Sequence, residues 1–145
     1  MITAAWPGQI TGQGAASVRD SVRRLVSSIA VSGGAFGASW AVGDFSGDRT
    51  PFVRLDSLFA TQHDSVLYAL VDCFTDTLPS RVRYKGRPVV RGAVSYLALR
   101  NLVYRETDPE DHWPGNIDGA LTLPRLRAAQ AAWREAIRRG WWSPT

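Results

Sequence analysis

Val89–Tyr104, VVRGAVSYLALRNLVY, is apolar on nearly every side, and that decides the fold. A helix facing solvent carries a single apolar stripe, whereas one apolar all round belongs inside a bundle. This stretch therefore reads as the central buried helix, with Pro88 suited to its first turn. Gly92 would let a neighbour approach closely, at roughly 1 kcal/mol relative to alanine.

Three amphipathic segments surround it. Ser17 with Asp20 fits a capping box, and Val18, Val22, Leu25, Val26 and Ile29 follow at helical spacing until Gly33-Gly34. Thr61 or Asp64 opens a second helix running to about Thr77, with Leu67, Leu70, Val71, Phe74 and Leu78 inward, and Pro79 ends it. Thr122 with Pro124 opens a last helix whose stripe is Leu126, Ala129, Trp133 and Ile137, and Gly140 closes it.

The remaining segments are short or irregular. Ala35–Phe45 suggests one or two strands, Phe52–Phe59 fits strand or helix, and Arg81–Gly86 alternates as an exposed strand or hairpin edge would. The fold class expected is mainly α, α+β with minor β. It has about four helices around a central one, one or two short strands or a hairpin, and an extended N-terminal arm over 1–16. A single domain spans 17–142, with a long acidic loop at 106–120 and a tail at 143–145.

Composition narrows the function. The chain has 145 residues, 45% of them hydrophobic and 21% charged, which is the balance of a folded domain. One cysteine leaves no internal disulfide and no zinc site of several thiolates. Apolar runs are broken by arginine or glycine well before 18 residues, so no membrane span is expected. The N-terminus shows no secretory signal pattern, and a cytoplasmic location, or a virion assembled there, is the expectation.

Charge is segregated along the chain. Net charge is +4, and sixteen of seventeen basic residues are arginine, a bias that GC-rich coding explains most simply. Gly43–Asp76 carries −4, Thr77–Arg105 +7, Glu106–Gly119 −5 and Leu121–Thr145 +4. Alternating blocks favour electrostatic pairing within the fold or between copies.

Motifs for catalysis are weak. Glu106, Asp108, Glu110 and Asp111 precede His112 in one loop, but the glycine-containing calcium loop pattern is absent. Asp44, Asp48 and Asp56 read as turn and cap chemistry. His63 beside Asp64 would orient a base for Ser65 or Cys73, yet Asp72 next to Cys73 raises a thiol pKa, the wrong direction for a nucleophile. The glycine clusters Gly12-Gln13-Gly14 and Gly33–Gly37 lack the strand a dinucleotide fold requires, and Lys85 lacks the glycines of a phosphate loop. No cofactor and no metal are expected.

Two surface sets stand out. Arg81, Arg83, Lys85, Arg87 and Arg91 form the best anion or nucleic-acid candidate, alternate strand residues sharing a face. The interface candidates are Trp6, Trp113, Trp141 and Trp142, which lie in arm, loop and tail, together with the acidic Glu106, Asp108, Glu110 and Asp111. Tryptophan and arginine are enriched at interface hot spots. The leading expectation is a non-enzymatic structural subunit of a homo-oligomer, partnered by copies of itself and neighbouring assembly proteins. By analogy of architecture this is of the phage head–tail connector, adaptor or tail-completion kind. A small nucleic-acid-binding or regulatory protein using residues 81–91 is the alternative, and a small hydrolase using His63 or the acidic loop comes third.

Overall fold

The computed structural model describes residues 7–31, 49–84, 86–103, 114–117 and 120–140. Among them are five α-helices and three short strands: α1 (Pro7–Ser28), β1 (Ala30–Val31), α2 (Thr50–Thr61), α3 (His63–Asp72), β2 (Pro79–Tyr84), β3 (Arg87–Val90), α4 (Arg91–Val103) and α5 (Leu123–Arg139). A 3-10 turn, Cys73–Thr75, continues α3. The chain is mainly α with minor β, as its patterning implies.

α4 is the centre. Gly92 to Arg100 and Val103 are buried, and α1, α2, α3 and α5 all pack against the helix. Ser95, the one small polar side chain at its middle, donates its hydroxyl to the Leu70 carbonyl of α3 at 2.6 Å. That bond removes the desolvation penalty an orphan hydroxyl would carry. Tyr96 sets its ring edge-on to Phe74, centroids 5.6 Å apart, and its hydroxyl accepts the Ile117 amide at 2.9 Å. α5 presents Leu126, Ala129, Trp133 and Ile137 inward as the stripe requires. Gly140 closes it in the left-handed region, φ 75°.

Several boundaries differ from the sequence reading, each for a local reason. α1 begins at Pro7, so 7–16 is helical rather than extended and Ser17 lies mid-helix instead of capping it. Pro7 is preorganised for a first turn, while Gly8, Gly12 and Gly14 weaken a helix without removing its hydrogen bonds. α1 also stops at Ser28, ahead of Gly33-Gly34, because Ala30 and Val31 pair in parallel with Arg81 and Val82. Phe52–Phe59 is helical within α2, started by Pro51.

The central helix starts later than its apolar run. Residues 87–90 form β3, antiparallel to β2, and α4 follows directly. The sheet order is β1-β2-β3, so Pro88 occupies an edge strand, where its missing N–H costs no ladder bond. Leu78, expected inward, is 55% exposed because α3 gives way to the 3-10 turn before reaching it. The carbonyls of Asp76 and Leu78 then accept the Gly92 and Arg91 amides, both at 2.9 Å, satisfying two donors at the start of α4. The strands suggested over 35–45, with Trp40, Asp44 and Asp48, lie outside the described residues.

Candidate functional site: an arginine groove

The end of α1, the sheet and the start of α4 meet at one end of the bundle, and there the arginines gather. On α1, residues 21, 24, 25 and 28 share a face beside the buried stripe of Val18, Val22, Val26 and Ile29. On α2, residues 54, 57 and 58 do the same. Where the two helices pack, these faces border a groove of about 620 Å³, with Arg24 and Arg54 on its walls, Leu25 and Leu58 among its apolar lining, and Ser21, Ser28 and Ser57 between. A second hollow of about 250 Å³ adjoins it, sharing Arg24 and Ser28 and adding Arg23, Ser27 and Arg81 of β2.

Four guanidiniums thus come from three elements. Among the described residues, no carboxylate lines either hollow. The serine hydroxyls are turned back on their helices: Ser27 donates to the Arg23 carbonyl and Ser28 to the Leu25 carbonyl, both at 2.8 Å, and Ser57 to the Val53 carbonyl at 3.1 Å. Apart from the Ser21 hydroxyl, donors for an incoming anion are therefore the guanidiniums, which suit carboxylate and phosphate oxygens in bidentate geometry.

Four arginines elsewhere are paired with carboxylates. Asp72 receives Arg134 at 2.7 Å and Arg19 at 4.0 Å. On α5, Glu135 receives Arg138 and Arg139, and this pairing holds its carboxyl below the usual value. Among the described residues, no ion pair takes in Arg24, Arg54 or Arg81. These three are exposed, so self-repulsion there is relieved by solvent or by a bound anion.

The structure divides the basic segment. Arg81 joins the groove, while Arg83 and Arg87 continue exposed along the hairpin, Arg83 reaching the Gly86 carbonyl at 3.4 Å. Arg91 is half-buried at the start of α4, its Nε sealed without a hydrogen-bond partner, and does not line the groove. Lys85 lies outside the described residues, as do Trp6, Trp113, Trp141, Trp142, Glu106, Asp108, Glu110, Asp111 and His112. Arg23, Arg24 and Arg54 escaped the sequence reading. For Arg24 the signal was a polar i, i+3, i+7 stripe of residues 21, 24 and 28 beside the core stripe of α1, and nothing in sequence links it to Arg54 of α2.

The residues considered for catalysis are dispersed. His63 is exposed on α3 against the Phe59 ring, centroids 5.0 Å apart, and lines neither hollow. Asp56 is exposed on α2, and partial burial raises its carboxyl pKa. Cys73 is buried; desolvation pushes its thiol above the ordinary 9.0, Arg23 pulls against that shift, and Asp76 and Asp72 add to it. No group of three or more metal-ligating side chains occurs among the described residues, and no helix there is long and apolar enough to cross a membrane.

A pH dependence follows from Cys73. With its folded pKa raised, the native state keeps the thiol proton after the unfolded chain has lost it. Stability from this group is complete below the unfolded pKa and declines as pH rises toward the folded one, at up to about 1.4 kcal/mol per pH unit. Denaturation midpoints from pH 8 to 10.5 should fall more steeply for the native chain than for Cys73→Ala. Parallel slopes would refute the assignment.

Comparison with protein-family models, curated proteins and solved structures finds no match to this chain.

Proposed function

We propose that this chain is a non-enzymatic structural subunit of an assembly of its own copies and neighbouring proteins, docking an anionic partner surface in the arginine groove. The observation that carries the reading is the convergence of Arg23, Arg24, Arg54 and Arg81 on two adjoining hollows with no carboxylate in their described lining. Holding like charges together costs free energy, and a partner supplying carboxylates or phosphates would recover it on binding. The dispersal of His63, Asp56 and Cys73 supports a binding role over a hydrolytic one. A place in a phage connector, adaptor or tail-completion complex, in cytoplasm or virion, is part of this proposal by analogy of architecture alone.

Nucleic acid is the second reading, favoured by Arg83 and Arg87, which extend the exposed basic surface past Arg81. Against it, the described groove lining holds no aromatic side chain on which a base could stack.

Fluorescence anisotropy of the full chain with labelled polyglutamate, polyphosphate and a single-stranded oligonucleotide tests both readings. Saturable, salt-sensitive binding of polyglutamate is expected, weakened at least about tenfold in Arg24→Ala/Arg54→Ala/Arg81→Ala. Oligonucleotide binding more than tenfold tighter than polyglutamate would transfer the groove to nucleic acid. Absence of binding to all three would refute an anion site.

A further inference from the structure

We infer that the occupant of the arginine groove is the acidic segment Glu106–Asp111 of a second copy of this chain, so that copies join head to tail. The inference rests on the anion-groove reading and adds the identity of the partner.

Charge complementarity is the first support. Glu106, Asp108, Glu110 and Asp111 lie in a stretch, 106–119, with five acids and no lysine or arginine. Four carboxylates within six residues complement Arg24 and Arg54 of the groove and Arg81 of the adjoining hollow, and an arginine fork takes a carboxylate in two parallel hydrogen bonds. The larger hollow, about 620 Å³ and open to solvent along α1 and α2, suits a short extended acidic segment. Leu25 and Leu58 offer apolar contact to the stems of its side chains.

Placement is the second. The hollow adjoining the groove takes in Arg81 of β2, so the site reaches the sheet, where α1 stops and where β3 runs directly into Arg91 at the start of α4. α4 is 13 residues long, which carries Val103 about 18 Å from Arg91 along its axis. The acidic segment starts three residues beyond Val103. The basic site and the root of the acidic segment thus stand at opposite ends of the central helix. Complementary surfaces at opposite ends make a heterologous contact, which repeats from copy to copy and closes into a ring or extends as a filament.

The chemistry of the lining separates this occupant from nucleic acid. Arginine and serine without aromatics bind carboxylates as well as phosphates but give bases no stacking platform. The acidic partner is also present in every copy, at a concentration equal to that of the groove.

The test is the solution mass of the full chain by light scattering after size exclusion, at about 50 mM and 500 mM salt, where screening lengths fall from roughly 14 Å to 4 Å. Two variants are compared: a groove reversal, Arg24→Glu/Arg54→Glu/Arg81→Glu, and a segment reversal, Glu106→Lys/Asp108→Lys/Glu110→Lys/Asp111→Lys. The three arginines are exposed, and an unchanged circular dichroism spectrum and melting point establish that each variant folds.

The native chain should form oligomers at low salt that dissociate at high salt. Each reversal alone should weaken association about a hundredfold or more. Mixing the two should restore one-to-one alternating hetero-oligomers, since the acidic segment of one variant meets the arginine groove of the other and the lysine segment meets the glutamate groove. A native chain that stays monomeric while binding polyglutamate overturns the head-to-tail inference and leaves the anion groove standing. Loss of both overturns the groove reading as well. A monomer that binds polyglutamate only after segment reversal places the segment in its own groove. Oligomers that require co-purified nucleic acid assign the groove to phosphate. Both of these overturn the inference.

Discussion

Replacing Trp133 by alanine is expected to lower stability by about 3–5 kcal/mol, the range for removing a large buried aromatic. Its side chain is 1% exposed and is the largest of the fully buried ones among the described residues. α5 contributes it from a stripe that also buries Leu126, Ala129 and Ile137, and the helix rests on α3, the 3-10 turn and α4. A second tie, Gln130 Nε2 donating to the Val71 carbonyl at 2.9 Å, holds the same face. Relaxation into the space left by the indole is therefore limited, and cavity cost adds to lost transfer energy. For a chain of this length the melting point should drop by roughly 10–20 °C. Urea denaturation measures the change directly, and Trp133→Phe should recover part of it. A loss under about 1 kcal/mol would show that α5 is not packed as described. Trp133 does not line the groove, so polyglutamate binding by the folded fraction should be unchanged.

The same periodicity that makes Trp133 a core residue was readable from the sequence, and its limits are instructive. α5 and the inner face of α3 were legible because apolar side chains recur at helical spacing and terminate at glycine or proline. The central helix was legible as buried, yet its start was not. Val89 and Val90 are β-branched and apolar, so they serve a buried strand or a helix equally well. Only pairing with β2 across the turn at Gly86 decides between them, and β2 is itself held by β1, 51 residues earlier in the chain, a contact that local spacing does not report. Pro88 was ambiguous for the same reason, since both a first helical turn and an edge strand tolerate it. The start of α1 was hidden by glycines at 8, 12 and 14, which weaken a helix without ending it.

The clustering of arginine was legible in part, and its position was not. An excess of arginine between Thr77 and Arg105 pointed to a basic surface, and Arg81 lines a hollow with Arg23 and Arg24. Its companions come from α1 and α2, where Arg23, Arg24 and Arg54 looked like the ordinary solvent face of amphipathic helices. What brings Arg24, Arg54 and Arg81 together is the packing of three elements around two hollows whose described lining holds no carboxylate. Asp72 pairs with Arg19 and Arg134, and Glu135 with Arg138 and Arg139. Which arginines are matched is a property of tertiary packing, and sequence spacing reports it only within one helix.

Gly92→Ala should be nearly as damaging as the loss of Trp133, at about 3 kcal/mol or more, although it adds a single methyl group. A Cβ at this position would lie 2.0 Å from the Phe74 carbonyl oxygen and 2.7 Å from its carbon. Both are backbone atoms, so no side-chain rotation relieves the overlap, and α4 must move by more than 1 Å from the 3-10 turn. That movement strains the Gly92 amide bond to Asp76, now 2.9 Å, and the buried contact of Phe74 with Tyr96. Overpacking of this kind commonly costs 1–3 kcal/mol and more where backbone must shift. Gly86→Ala is the control: its φ is +76° but nothing lies within 4 Å of the added atom. It should cost only the roughly 1–2 kcal/mol of a left-handed backbone. Comparing the two in urea separates close packing from conformational strain, and equal losses would refute the close approach at Gly92. The consequence reaches the groove as well. β3 runs without a break into α4, so displacing the helix start displaces the hairpin and carries Arg81 away from Arg24. Folded Gly92→Ala protein should therefore bind polyglutamate more weakly than the native chain, while Gly86→Ala should not.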